Sequence, residues 1–245
     1  MTETQTINKT ETQREENGGS RYLQTRVLSQ RPLIRAYLGD CMDWMQTTAD
    51  KDYQLAIVDP PYGIGKDSLH TYRPIKDAGK LKNRAINLMP TEFDEYPPKK
   101  EYFIELRRVS VNQIIWGGNY FDLSPTRGII CWDKVQPWEN FSQIEYAWTS
   151  FDYPAKLFRF DNRTSDKIHP TQKPIALYRW LLQNYAKAGQ RIFDSHGGSF
   201  SSAVACYMEG FDLDICEIDE EYFESAIKRF KQATQQIHLF DERLL

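Results

Sequence analysis

Gln54-Leu55-Ala56-Ile57-Val58-Asp59-Pro60-Pro61-Tyr62-Gly63 is the stretch from which the rest of the chain is read. Its first half is a near-continuous apolar run, the pattern of a strand covered on both faces, as in a parallel sheet. Two consecutive prolines then fix φ and remove two backbone donors, which ends the strand after Val58. Their carbonyls have no competing amide neighbours and project as acceptors into a cleft. Beside them, the Asp59 carboxylate completes a pair of acceptors suited to grip an –NH2 group by both hydrogens. Tyr62 offers a flat surface for a base ring. The arrangement suits chemistry on an exocyclic amine, whose lone pair is delocalised into its ring. Two acceptors localise that pair and stabilise the positive charge that develops as nitrogen attacks a methyl sulfonium. A plain strand-end turn with an N-capping Asp accounts for a lone Asp-Pro, but not for this run behind a buried strand.

Strands of similar texture recur at residues 113–116, 128–132, 191–193 and 213–216, and Tyr37-Leu38 reads as another strand end. Helices are predicted over residues 99–109, 174–188, 201–209 and 220–234. Pro174 stands in a first turn, Gly189 lies just past an end, and Gly210 ends the third helix. Short apolar runs alternating with helices predict an α/β fold on a parallel sheet. Residues 1–30 are Thr, Glu, Gln and Asn with a Gly-Gly-Ser break, too polar to offset their ordering entropy, and are expected to form a flexible tail. One catalytic domain is expected over residues 31–235 and a short C-terminal tail over 236–245. Residues 64–98 and 136–167 look irregular and are the candidate loops over the site. No internal repeat is visible.

A second cluster, Phe193-Asp194-Ser195-His196-Gly197-Gly198-Ser199-Phe200-Ser201, lies between a strand and a helix. A Gly/Ser turn there lets a ligand approach the backbone and the helix N-terminus. It lacks the Gly-Lys-Ser/Thr of a phosphate-binding loop, which argues against a triphosphate. Glu217 follows 23 residues after Asp194, at the end of the next strand, the spacing of an acid that holds ribose hydroxyls. The ligand this suits is a nucleoside without phosphates, such as S-adenosylmethionine. His169-Pro170-Thr171-Gln172-Lys173-Pro174 opens a helix, where polar side chains hold the methionyl carboxylate or merely cap the helix. Gly39-Asp40-Cys41-Met42 puts an acid at a further strand end, either as acceptor for the adenine amine or as an ordinary turn.

The 245 residues carry 31 Lys+Arg against 34 Asp+Glu, a net charge of −3, with 40% hydrophobic and 13% aromatic residues. That length and apolar content support one buried core. The balanced charge excludes a histone-like mode of nucleic-acid binding but leaves room for a local basic face. Four scattered cysteines, with no C-x-x-C pair, point away from a zinc site or disulfide framework and toward a reduced, cytoplasmic protein. No apolar leader or membrane-length run stands out.

Taken together, the motifs resemble the DNA amino-methyltransferases of the permuted β class, in which the Asp-Pro-Pro-Tyr half precedes the cofactor half. The likeness runs from about residue 33 to 245 and is similar in compactness to bacteriophage and prophage methylases. Besides the motifs above it takes in Ile115-Trp116-Gly117-Gly118-Asn119-Tyr120-Phe121, Trp132-Asp133-Lys134 and Glu145-Tyr146-Ala147-Trp148. The resemblance implies a Rossmann-like class I methyltransferase fold, mostly parallel and doubly wound with one antiparallel edge strand. It implies that Asp59, Pro60, Pro61 and Tyr62 grip and stack the target base. S-adenosylmethionine would be held by Asp40, Cys41, Asp59, Thr171, Gln172, Lys173, Asp194, His196, Gly197, Gly198, Ser199, Ser201 and Glu217.

The implied reaction is methylation of the N6 amine of an adenine flipped from double-stranded DNA, of the kind found in restriction-modification systems. The alternatives are cytosine-N4 methylation, whose enzymes more often carry Ser in place of the Asp, and a weakly catalytic remnant that binds cofactor and DNA. DNA contacts are expected from Lys66, Arg73, Lys76, Lys80, Lys82 and Arg84, with Arg159, Arg163 and Lys167. Phe200 stands where the family usually has Gly. A left-handed conformation there costs on the order of 1–2 kcal/mol, and the ring threatens to crowd the cofactor, so Phe200→Gly is expected to preserve or tighten binding. Finally, Gln236-Ile237-His238-Leu239-Phe240 is similar to Gln-x-x-Leu-Phe peptides that bind the replication sliding clamp. The alternative is an amphipathic tail folded back on its own domain.

Overall fold

Along the central strands, side chains alternate at a period of two between cores on opposite faces of one sheet. The computed structural model describes residues 24–64, 96–136, 142–161, 168 and 172–241. Its strands are β1 (Gln24–Gln30), β2 (Leu33–Leu38), β3 (Tyr53–Val58), β4 (Ser110–Trp116), β5 (Ile129–Asp133), β6 (Ile144–Thr149), β7 (Lys156–Arg159), β8 (Arg191–Asp194) and β9 (Asp212–Glu217). They lie in the order β1-β2-β9-β8-β3-β4-β6-β5-β7.

Leu55 and Ile57 of β3, Ile114 and Trp116 of β4, Ile192 of β8, and Leu213 and Ile215 of β9 face one way. They pack under α3 (Ile175–Tyr185), α4 (Ser201–Glu209) and α5 (Glu220–Asp241). Ala56, Val58, Ile115, Phe193 and Cys216 face the other way, under α1 (Cys41–Thr47) and α2 (Lys100–Val109). Strands buried on both faces need apolar residues at every position, which is why they read as continuous runs.

Connectivity places the working edge. β3 pairs in parallel with β4 on one side and with β8 on the other. From β3 the chain goes through α2 to β4. From β8 it goes through α4, on the opposite face, to β9, which is parallel to β8. Chains diverging from two neighbouring parallel strands leave a crevice beyond their carboxyl ends, the customary ligand position in such sheets.

Several expectations change. Among the described strands, two run against the rest, not one: β1 at the edge, and β6 inside, antiparallel to both β4 and β5. Gln24–Gln30 forms β1 rather than the last part of a tail. Its strand is half polar because it is an edge, and Arg26 ties it to Glu224 of α5. The span 136–167 contains β6 and β7 rather than irregular chain alone; β7 is a four-residue edge strand with exposed alternate positions, a weak signal in sequence. The turn expected at Asp40 continues as α1, with Asp40 as its N-cap. The last helix reaches Asp241, so most of the expected tail is helical. Residues 1–23 and 65–95 lie outside the described residues.

Phe200 takes the left-handed conformation (φ 56°, ψ 31°) at the N-cap of α4. Its ring does not enter the crevice. It is fully buried, edge-on to Phe223 of α5 at 5.8 Å and 89°. A Cβ on Gly197 would lie 2.5 Å from that ring and 2.9 Å from Ile215, so Gly197 is the residue that lets the loop close over Phe200. The expected crowding is therefore corrected: the strained backbone is offset by a buried aromatic ring. Phe200→Gly should destabilise the fold, because loss of the ring at ~3–5 kcal/mol outweighs the relieved strain. Urea unfolding is expected to show a net loss of about 2 kcal/mol or more; a variant as stable as the parent would contradict this.

Candidate active site

Three carboxyl groups stand at the ends of three adjacent strands: Asp59 after β3, Asp194 closing β8 and Glu217 closing β9. Backbone bonds lock their loops together. Gly39 N–H donates to the Glu217 carbonyl at 2.8 Å and Gly197 N–H to the Cys216 carbonyl at 2.7 Å. The Glu217 carboxylate accepts from Gly198 N–H at 2.7 Å and from the N–H groups of Ile218 and Asp219 at 2.9 and 3.0 Å. Burial pushes the Glu217 carboxyl up, and those three donors oppose the shift. Asp40, exposed beside Gly39, accepts from Met42 N–H at 2.8 Å.

Asp194 is almost wholly buried and accepts from Ser202 Oγ at 2.5 Å and His196 N–H at 3.1 Å. Burial pushes its carboxyl up to about 7; the two donors pull the other way, and the negative charges of Asp59 and Glu217 add to the rise. Asp59, Asp194 and Glu217 thus end three neighbouring strands of one sheet. His196 shares a hydrogen bond with Ser195 at 2.8 Å, and Ser195 in turn with Tyr102 at 2.7 Å. Burial lowers its imidazole to about 4, so it is neutral at ordinary pH.

Around Asp59 both carboxylate oxygens are engaged. Tyr62 Oη donates to Oδ1 at 2.7 Å, and Lys173 Nζ donates to Oδ2. Burial, then the nearby Asp59 and Glu145 charges, push the Tyr62 hydroxyl well up, so it remains a donor. The Tyr62 ring stacks on Tyr120 at 4.9 Å and 14° and meets Phe121 edge-on at 6.2 Å. Gly117, at φ 69°, makes this possible: a Cβ there would lie 2.2 Å from the Tyr62 ring.

Lys173, expected at the cofactor carboxylate, has protein partners. Its side chain is buried against Asp59, and it reaches Glu145 of β6 at 3.3 Å. Glu145 also pairs with Lys134, just beyond β5. Gln172 is buried too, its amide oxygen accepting from Ile168 N–H at 3.0 Å. Cys41 begins α1 and points into the core beneath it, its thiol pushed up by burial. Ser199 and Ser201 are buried partners at 3.1 Å within the loop.

Thr171 and, of the expected DNA contacts, Lys66, Arg73, Lys76, Lys80, Lys82, Arg84, Arg163 and Lys167 lie outside the described residues. Arg159 is exposed on β7 and pairs with Asp133 at 2.8 Å. The residues that sequence reasoning left without a role are Gly117, Tyr120, Lys134 and Glu145. Each belongs to a run already noted in the resemblance, but only the fold brings them to Asp59.

Residues 116–228 match the N6/N4 DNA methylase family. The chain is similar to the type II methyltransferase M2.MboI of Moraxella bovis, with 21% identity covering 81% of this chain and 88% of that protein. It is also 25% identical to the DNA adenine methyltransferase YhdJ of Escherichia coli (strain K12), over 44% of this chain and 35% of that one. Among solved structures, the M1.HpyAVI–SAM complex aligns with a TM-score of 0.54 at 19% identity, covering 80% of this chain and 99% of that one. The cytosine-N4-specific PvuII DNA methyltransferase aligns with a TM-score of 0.55 at 12% identity, covering 88% and 96%. Both share the fold.

The raised Asp194 carboxyl has a consequence for stability. Its folded value lies above the ordinary 3.8, so the folded protein keeps a proton that the unfolded chain has released. Stability present at low pH is therefore lost as pH rises from about 4 toward 7. Asp194→Asn should remove this loss, so that the variant gains in Tm on the parent across that range; a constant Tm difference would show Asp194 to be ionised in the fold.

Proposed function

We propose that this chain, whose residues 116–228 match the N6/N4 DNA methylase family, transfers a methyl group from S-adenosylmethionine to the N6 amine of an adenine swung out of duplex DNA. One observation carries the reading: Asp59 of the amine-gripping motif stands on the strand beside Asp194, with Glu217 on the next. The donor set fits the cofactor. Carboxyl groups of Asp40, Asp194 and Glu217 along one edge suit ribose hydroxyls, an amine and a positively charged sulfur. The Gly197–Ser199 turn allows close backbone approach, with the Phe200 ring out of the way. When bound, the cofactor supplies an electrophilic methyl group on a sulfonium.

The chain's own residues do the placing. Extruding a base costs a few kcal/mol of stacking and pairing. The aromatic surface of Tyr62 and Tyr120 returns part of it, at ~1–3 kcal/mol per stacked base. Asp59 accepts a hydrogen bond from the amine and stabilises the positive charge that develops on nitrogen. Its role is that of acceptor and electrostatic partner; His196, neutral and bonded to Ser195, is not needed as a base. Asp at the head of the Asp-Pro-Pro-Tyr motif, and the adenine specificity in the name of the similar YhdJ, support adenine over cytosine.

No helix among the described residues is long and apolar enough to cross a membrane; a cytoplasmic location is part of this reading, and a phage or prophage origin rests on the sequence resemblance. The Gln-x-x-Leu-Phe pattern of residues 236–240, in the last turns of α5, leaves two readings, a sliding-clamp peptide or a helix end belonging to its own domain. Retention of the chain on immobilised sliding clamp should disappear when residues 236–245 are deleted, and retention that survives the deletion would dismiss the clamp.

Expression in a methylation-free host, with modified bases read by long-read sequencing, should show N6-methyladenine in a short context. Asp59→Ala should lower transfer by ~10²–10³-fold or more, with cofactor affinity by calorimetry nearly unchanged; Asp59→Asn gives the same reading at constant volume. Near-parental methylation by both would remove Asp59 from the reaction, and N4-methylcytosine in the host would reassign the base.

A further inference from the structure

Four charged side chains from four separate segments meet behind the amine-gripping motif, with signs alternating: Asp59 after β3, Lys173 before α3, Glu145 on β6 and Lys134 after β5. Lys173 and Lys134 are 3% and 9% exposed, too buried for incidental surface pairs. Lys173 Nζ lies 5.2 Å from the Trp116 ring centre and 3.4 Å from Tyr62 Oη. The β5–β6 register holds the outer pair together: Glu145 stands opposite Trp132, and Lys134 N–H bonds the Gln143 carbonyl at 2.9 Å.

We propose that Glu145, backed by Lys134, is a positioning residue for methyl transfer: it anchors and charge-balances Lys173, which in turn sets the Asp59 carboxylate. The inference rests on the proposed function and extends it to residues two steps from the amine. Its physical basis is a conflict at Asp59. A carboxylate that must stabilise a developing cation is ion-paired to a buried lysine, whose charge opposes that cation. Glu145 restores the balance, so that Asp59 dominates the field at the amine while Lys173 still fixes its orientation. Without Glu145, two buried ammonium groups would stand behind Asp59 with one carboxylate between them and the substrate.

The groups that face Lys173 are Asp59, Glu145 and Tyr62, with Asp194 and Tyr178 near Asp59. Burial pulls the Lys173 ammonium down, but Asp59 and Glu145 together hold it above its ordinary value. Burial resists ionisation of Glu145, yet Lys173 and Lys134 bring it down to about 2. Loss of the Glu145 charge thus lets Lys173 give up its proton at lower pH.

The test uses the full chain on duplex DNA carrying its target, with Glu145→Gln, Glu145→Asp and Lys134→Met. Glu145→Gln should lower kcat by ~10–100-fold, leave KM for DNA and cofactor affinity within about threefold, and move the alkaline limb of the kcat profile down by about one pH unit or more. Glu145→Asp should restore the position of that limb. An unchanged kcat, or a fall in kcat with no movement of the limb, overturns the proposal and leaves Glu145 a packing residue. If Glu145→Gln fails to fold, Lys134→Met is decisive: kcat lowered about fivefold or more, with cofactor affinity kept, supports the chain of charges, and a parental kcat refutes it. A parent chain that methylates no base overturns the proposed function itself, whereas an active parent with parental variants overturns this inference alone.

Discussion

Neighbouring parallel strands whose chains leave toward opposite faces cannot close over their own carboxyl ends, and β3 and β8 are such a pair. The crevice between their exits exists before any side chain is specified, and the residues that end the two strands are committed to it. In this protein those residues are Asp59 and Asp194, with Glu217 on the strand beyond. The two cores, under α1 and α2 on one face and α3 to α5 on the other, hold the sheet rigid beneath them. The loops that complete the site are tied to the end of β9 by the N–H groups of Gly39 and Gly197, which donate to backbone carbonyls, and of Gly198, which donates to the Glu217 carboxylate.

Crowding acids at one edge carries an electrostatic cost, met differently at each. Asp59 has a buried lysine and a tyrosine hydroxyl as partners. Among the described residues Asp194 has a serine hydroxyl and a backbone N–H, and its carboxyl rises to about 7. Glu217 relies on three backbone donors. Like groups given unlike partners can take separate roles. The strongest compensation falls on the carboxylate assigned to the reacting amine, while Asp194 shares its edge with the residues assigned to the cofactor.

The central strands were legible because burial on both faces leaves a continuous apolar signature, as at Leu55 to Val58 and Ile114 to Trp116. Edge elements were not. β1 and β7 each bury one side at most, and their polar alternation resembles loop. The site was legible where chemistry is local in sequence, as in Asp59-Pro60-Pro61-Tyr62 and the Gly197–Gly198 turn. It was illegible where partners come from distant segments. Nothing near Lys173 announces that it meets Glu145 and Lys134, since that depends on where β5 and β6 lie relative to β3. Phe200 shows the same limit in reverse: the strained backbone could be foreseen from a side chain at a customary glycine, but the direction of the ring depends on Phe223.

The stacked pair of Tyr62 and Tyr120 bears on discrimination between nucleobases. Because Tyr62 already stacks on Tyr120 at 4.9 Å, the pair forms one extended aromatic surface, which rewards the face of any flat ring laid against it. Purine and pyrimidine differ mainly in the area of that face. Fidelity is thus left to the rim of the heterocycle, where the pattern of donors and acceptors either matches a fixed carboxylate or does not.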